Sequence, residues 1–183
     1  KQIDNQEQKD NLLIVNRNAQ YLLSLVNQLI DLRKIDTKNL TINLTQFNFT
    51  RFLEYTTIDF SSLMKERGIR FEKIYRIKSD HIYSDRDNLH KVLFNLLSNA
   101  IKHTPDKGKV RLHANQFVDK VTGKLMQYIS VSNSGSMIAP DEVDKIFNRF
   151  YQISNQNKYT SYGQSSTGIG LHNVKEIITL LLS

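Results

Sequence analysis

Between Asp4 and Asp36 the chain contains neither glycine nor proline, and apolar residues return at Leu12, Val15, Ala19, Leu22, Val26 and Leu29. The steps alternate three and four, which is the seam of a coiled coil or a helical bundle. A helix of this length, rising 1.5 Å per residue, extends about 50 Å and cannot cover its own seam. Leu23, Leu25, Ile30 and Leu32 widen the stripe beyond two positions in seven, as a four-helix arrangement requires. The rest of the chain supplies no matching helices. The seam therefore calls for partner helices or, as the alternative, for a globular domain to lie against.

Past Lys38 the pattern changes. Leu40, Ile42 and Leu44, then Phe47 and Phe49, alternate as a strand and its exit do. Thr50 is placed to cap a helix with Leu53, Phe60 and Leu63 or Met64 on one face, stopping at Gly68. A short strand over Ile69 to Ile77 follows, and Asp85 or Asp87 can cap the next helix. That helix has the clearest apolar face in the chain, Leu89, Val92, Leu93, Leu96, Leu97 and Ala100, and ends at Pro105 and Gly108. Strands are expected over Val110 to Asn115 and Leu125 to Ser132, turning near Thr122 and Gly123. Pro140 and Asp141 open a helix carrying Val143, Ile146, Phe147 and Phe150. Tyr151 to Thr167 is polar and aperiodic, the pattern of a loop. A last helix from about Gly170 carries Leu171, Val174, Ile178 and Leu181. No internal repeat is present.

At 183 residues the chain has room for one ordinary domain and an appendage. With 39% hydrophobic and 23% charged residues it is neither disordered by composition nor a membrane bundle, and no apolar run is long enough to span a bilayer. Lys1, rather than an initiator Met or a signal peptide, opens the chain, so an excised or processed fragment is expected. The absence of cysteine excludes disulfides, thiolate nucleophiles and Cys-ligated zinc, and fits a reducing compartment. The net charge of +7 suits nucleic acid, an acidic membrane or a polyphosphate. Because Lys and Arg are spread without a run, nucleic acid is the least favoured of these. The five histidines, His81, His90, His103, His113 and His172, have no metal-ligand spacing, and for most of them a surface or satisfied role is expected.

On the helix from Arg86 to Lys102, Asn95 and Asn99 stand four residues apart, with Lys102 three further on, so all three share a face. Asparagine is a mediocre helix former, because its amide competes for backbone hydrogen bonds. Its oxygen is a hard neutral ligand able to hold Mg²⁺, and a nearby ammonium complements phosphate. Spacing alone favours a solvated polar stripe over a ligand site.

The stretch NLLSNAIKHTP, Asn95 to Pro105, resembles the N box of sensor histidine kinases. The resemblance continues in order. VSNSGSMI, Val131 to Ile138, is similar to the first glycine box, IFNRFYQ, Ile146 to Gln152, to the phenylalanine box, and STGIGLHNVKEI, Ser166 to Ile177, to the second glycine box and its helix. Upstream, the stretch from Leu12 to Phe49 resembles the second helix of the dimerisation and phosphotransfer domain running into the first strand. The resemblance implies an α+β fold: a two-layer α/β sandwich over residues 39–183, preceded by a dimerisation helix and linker over residues 1–38.

It also implies roles. Asn95 would bind Mg²⁺, Asn99 and Lys102 would reach phosphate or ribose, and His103 would stand where an aromatic ring stacks on adenine. Asn133 would accept from the adenine amino group. Gly135, Gly168 and Gly170 would let backbone approach ATP, with Leu171 opening the final helix, and Arg149 would meet the terminal phosphate. As catalytic residues the resemblance marks Asn95 and Arg149. The implied cofactors are ATP and Mg²⁺. The implied partners are a second copy through the N-terminal helix and a response-regulator receiver domain, not nucleic acid. The implied location is the cytoplasmic portion of an inner-membrane protein.

The sequence departs from the family pattern at Asn133, where an Asp is usual, at Met137, where glycine is common, and at Ser166, where glycine often opens the second box. An amide oxygen can still accept the adenine bond, but without charge. The family's usual last two strands have no counterpart up to Ser183, so the chain is expected either to be cut short there or to carry an unusual ending in their place. The phosphoacceptor histidine is expected upstream of it. Three functional readings follow: a kinase domain that phosphorylates an upstream histidine for relay to a response-regulator aspartate, a degenerate nucleotide-binding and dimerisation module, and an ATPase of chaperone or topoisomerase type. Lys91, four positions before Asn95, stands where the last would carry a water-activating Glu.

Overall fold

The computed structural model describes residues 2–37, 39–135, 137–153 and 167–182. Its first element is helix α1, Gln2–Asp36, as the unbroken seam predicts. Leu12, Val15, Leu22, Leu23, Val26, Leu29 and Ile30 on this helix are all about half exposed or more, whereas Leu32 near its end is buried. Among the described residues the seam is thus open along most of its length, and the contacts with the remaining domain come from the last turns of α1.

That domain has two layers. Strand β1 is Thr45–Asn48, helix α2 is Phe49–Glu66, strand β2 is Arg70–Arg76 and strand β3 is His81–Ser84. Helix α3 is Arg86–Lys102, strands β4 and β5 are Lys109–Val118 and Leu125–Asn133, and helix α4 is Gly170–Leu182. The main sheet runs β2-β4-β5, with β2 parallel and β5 antiparallel to β4, and β1 pairs with β3 in a separate antiparallel ribbon. Helices α2 and α3 cover one face of the sheet. Leu53, Leu93, Leu97, Val110 and Leu112 meet there with their side chains fully excluded from water. Each such side chain contributes about 1.5–3 kcal/mol of hydrophobic stabilisation. A second cluster of Val92, Val174 and Ile177, sealed by Leu40, fastens α4 to α3.

Several expectations need correction. Residues 40–44 are not a strand; the ladder begins at Thr45 because its partner β3, which alternation did not reveal, has only four residues. Asn48 rather than Thr50 caps α2, its Oδ1 accepting from the Arg51 amide at 2.8 Å, while the Thr50 hydroxyl donates to Asp80. The helix expected after Pro140 is two separate 3₁₀ turns, Pro140–Glu142 and Lys145–Phe147. Val143 and Phe150 stay largely exposed, so no buried apolar face is there to sustain a longer helix. On α4 the buried face centres on His172, Asn173, Val174 and Ile177, with Ile178 and Leu181 at its margin. Most of the loop expected from Tyr151 to Thr167, including Ser166, lies outside the described residues.

Candidate functional site

Helix α3 carries the polar triad, and its start is fixed by Asp85. That N-cap accepts the Asn88 amide at 2.9 Å and, through its other oxygen, the Asn43 amide at 2.8 Å. Burial raises the Asp85 carboxyl, but these donors together outweigh it and hold the group below the usual carboxylate range. The far end of α3 is pinned by a residue the sequence reading missed. The buried Arg67, at the C-cap of α2, donates to Asp106 at 2.8 Å and to the carbonyls of Ile101 and Thr104 at 2.8 and 2.6 Å. Lys102 and His103 stand between those two carbonyls in sequence, so Arg67 sets where they project.

Along α3 the Asn95 amide nitrogen is used inward, donating to the Lys91 carbonyl at 3.0 Å. Its oxygen faces the start of α4, where a Cβ added to Gly170 would stand 2.9 Å from it. A side chain at position 170 would fill this notch, which explains the glycine. Asn95 and Gly170 are therefore brought together as expected. Asn99 and Lys102 lie further along α3, both partly buried. Burial holds the Lys102 ammonium below the usual lysine range, and burial, reinforced by the Lys102 charge, holds the His103 imidazole below its own. A cation strained in this way is stabilised by an anion beside it.

The first glycine box closes on the same helix end. Asn133 Nδ2 donates to the carbonyls of His103 at 3.4 Å and Ser134 at 3.2 Å, and a Cβ on Gly135 would stand 2.3 Å from the His103 carbonyl. Asn133 thus gives its amide nitrogen the partner that an aspartate would not need. Phe150 adopts a positive φ of 61°, unusual for a bulky side chain, and its amide donates to the Gly168 carbonyl at 2.9 Å, locking the phenylalanine box against the second glycine box. Leu171, half-buried in the first turn of α4, packs without a polar role.

Arg149 does not point into the notch between Asn95 and Gly170. Its Nε donates to His172 Nε2 at 2.9 Å, and its two terminal nitrogens pair with the carboxylate of Asp36 at the end of α1. His172 Nδ1 lies 3.2 Å from the Phe147 carbonyl, so a neutral ring with its proton on Nδ1 accepts the arginine. His172 is thus a satisfied histidine, as expected for most of the five, with an arginine of the phenylalanine box as one of its partners. Two more side chains of α1 touch the same region: Asp31 pairs with Lys91 at 2.6 Å, and the Thr167 hydroxyl donates to Gln28 at 2.7 Å. Gln28, Asp31 and Asp36 are polar positions interleaved with the seam, a pattern that reads in sequence as a solvated helix face. Among the described residues no cluster of three His, Cys, Asp or Glu side chains is placed to hold a metal. A cation here would rely on Asn95 and on oxygens brought by a ligand, a donor set that suits Mg²⁺.

The first glycine box thus meets the far end of α3, the second meets its middle at Asn95, and the phenylalanine box is bonded to the second, with glycines where backbone comes closest. Residues 84–182, more than half of the chain, match the family described as histidine kinase-, DNA gyrase B- and HSP90-like ATPase, and the chain belongs to that family. Histidine kinase P4 of Formosa agariphila is 31% identical over 171 residues, which is 92% of this chain and 12% of that protein. The nucleotide-free catalytic domain of histidine kinase ThkA is 27% identical with a TM-score of 0.62, covering 76% of this chain and 82% of that one. Full-length ShkA in complex with AMPPNP shares the fold at 24% identity, with a TM-score of 0.73 over 94% of this chain and 34% of its own. No helix among the described residues is long and apolar enough to cross a membrane.

Proposed function

We propose that this chain is the ATP-binding catalytic part of a sensor histidine kinase, acting on a histidine carried outside residues 1–183. The observation that supports this most is the notch formed by Asn95 and Gly170, with Lys102 and His103 further along the same helix. Mg-ATP bound there supplies the phosphoryl group for transfer. The chain's own work is to position that group and neutralise its charge, which dominates catalysis of phosphoryl transfer. Asn95 offers its amide oxygen to the metal, and Lys102 and Asn99 face phosphate or ribose. Asn133 and His103 border the adenine, the first through its amide oxygen and the second through a flat uncharged ring. Arg149 meets the terminal phosphate after it lets go of Asp36.

The partners proposed are a second copy, docked along the open seam of α1, and the receiver domain of a response regulator. The seam's exposed leucines support the first. A structure of ThkA in complex with the response regulator protein TrrA supports the second. The location proposed is the cytoplasmic side of a membrane-anchored protein. The test is titration of the chain with an ATP analogue with and without Mg²⁺, followed by incubation with radiolabelled ATP alone and with a separately produced dimerisation domain bearing the acceptor histidine. Mg²⁺-dependent binding, with acid-labile label only on the added domain, is the expected result. Absence of nucleotide binding overturns the reading. Binding without label on the added domain favours a module that does not turn over.

A further inference from the structure

The sheet has two faces, and the site uses only one. Phe71, Tyr75, Ile129 and Val131 point to the helices, so their neighbours along each strand point the other way. The register places Arg70 beside Lys109, Glu72 beside Arg111 and Arg76 beside Asn115 on that outer face. Three cations, Arg70, Lys109 and Arg111, stand there around the carboxylate of Glu72, and a fourth, Arg76, lies four residues further along β2. Glu72 is within 3.3, 2.8 and 3.1 Å of Arg70, Lys109 and Arg111, and its pKa is lowered foremost by the Lys109 bond. Arg76 has no ion pair among the described residues. Between and beside these cations lie three apolar side chains, Ile74, Phe117 and Tyr128, exposed by 37%, 43% and 47%. The Tyr128 ring is held edge-on to His113 at 5.8 Å between centroids.

We propose that this outer sheet face is a docking surface for an acidic segment of a protein partner, whose carboxylates engage Arg70, Arg76 and Arg111 and whose apolar side chains settle between Ile74, Phe117 and Tyr128. Three considerations favour that occupant. The excess of positive charge is concentrated on one flat face, and guanidinium forks match carboxylates bidentately. Glu72 tethers three of the cations and so fixes their heads before a partner arrives, which lowers the ordering cost of binding. An apolar centre framed by charge and carrying Tyr and Arg is the usual composition of a protein interface. Tyr128 is already engaged edge-on with His113, which leaves its ring less free to stack on a base and argues against single-stranded nucleic acid.

The test is fluorescence anisotropy on the whole chain, with a short labelled peptide alternating glutamate and leucine as probe. Saturable, salt-sensitive binding is expected. Arg76→Glu with Arg111→Glu should weaken it at least about tenfold. Tyr128→Ser should weaken it about fivefold with no change in charge. Lys120→Glu with Lys124→Glu, an equal charge change in the turn between β4 and β5 rather than at the cations of the face, should weaken it by no more than about twofold. Thermal melts of each variant establish that the fold is retained. The proposal is overturned if no peptide binds at millimolar concentration, or if the Lys120 and Lys124 control weakens binding as much as the face variant. It is equally overturned if oligothymidylate or phosphatidylserine vesicles bind more tightly through the same residues. Neither arm depends on nucleotide, so failure here leaves the kinase reading intact.

Discussion

Arg149 spans 113 positions of sequence to clasp Asp36, its Nη1 lying 3.0 Å from one carboxylate oxygen while Nη2 pairs with the other. The pair joins the phenylalanine box to the last turn of α1 and keeps a cation away from the notch at Asn95. Both side chains are 42% exposed, so the pair adds less than about 1 kcal/mol to stability. Its importance lies in where it leaves the arginine.

Releasing Arg149 should therefore change ligand preference without unfolding the protein. Asp36→Ala is expected to raise the preference for ATP over ADP about fivefold, and Arg149→Ala to abolish it. Calorimetric titration of both nucleotides into each variant decides this. Equal ATP-to-ADP ratios in both variants and the parent would remove Arg149 from the terminal phosphate.

Gly170→Ala should act on nucleotide binding through Asn95. The new methyl would stand 2.9 Å from the Asn95 oxygen and displace it. We expect a loss of about tenfold or more in Mg²⁺-dependent affinity, matched by Asn95→Ala. The double variant should be no worse than either single one, because both act on one contact. Additive losses would show that Gly170 works by another route.

Arg67→Met should cost about 3 kcal/mol in chemical denaturation, because two buried carbonyls and Asp106 lose their donor. The same variant should weaken nucleotide binding, since the α3 end that carries Lys102 and His103 is no longer held. A stability loss with unchanged nucleotide affinity would confine Arg67 to the fold.

The depressed His103 sets a pH dependence with a definite sign. Protonation is easier in the unfolded chain than in the folded one, so the unfolded state binds more protons between the two pKa values. The contribution is fully present above the ordinary histidine value of about 6.5 and is lost as pH falls from there toward the lower folded value. Denaturation curves between about pH 5 and 7.5 should show a slope that His103→Phe flattens. An identical slope in the variant would assign it to other groups.

What the sequence disclosed and what it concealed follow a physical division. Helix α3 was legible because a continuous apolar face and a capping aspartate are local signals. The stacked asparagines stood out against that face because they break a propensity rule. Strand β3 left no pattern, since four residues cannot establish a period. Arg67 and His172 were invisible for another reason. Each is an unremarkable polar residue until the chain brings it to carbonyls or to an arginine more than twenty positions away. The helix expected after Pro140 failed because the spacing was helical but the burial that would sustain it is not supplied.

Gln28, Asp31 and Asp36 occupy an arc of roughly 140° on α1, given about 100° per residue. Each grips a different element: the second glycine box, the N-box helix and the phenylalanine box. A rod so geared cannot turn about its axis without disengaging some of these grips and tightening others. By reciprocity of linked equilibria, if fixing the angular setting of α1 changes nucleotide affinity, nucleotide changes that setting by the same factor. Torque on the rod and occupancy of the notch are then two readings of one mechanical variable.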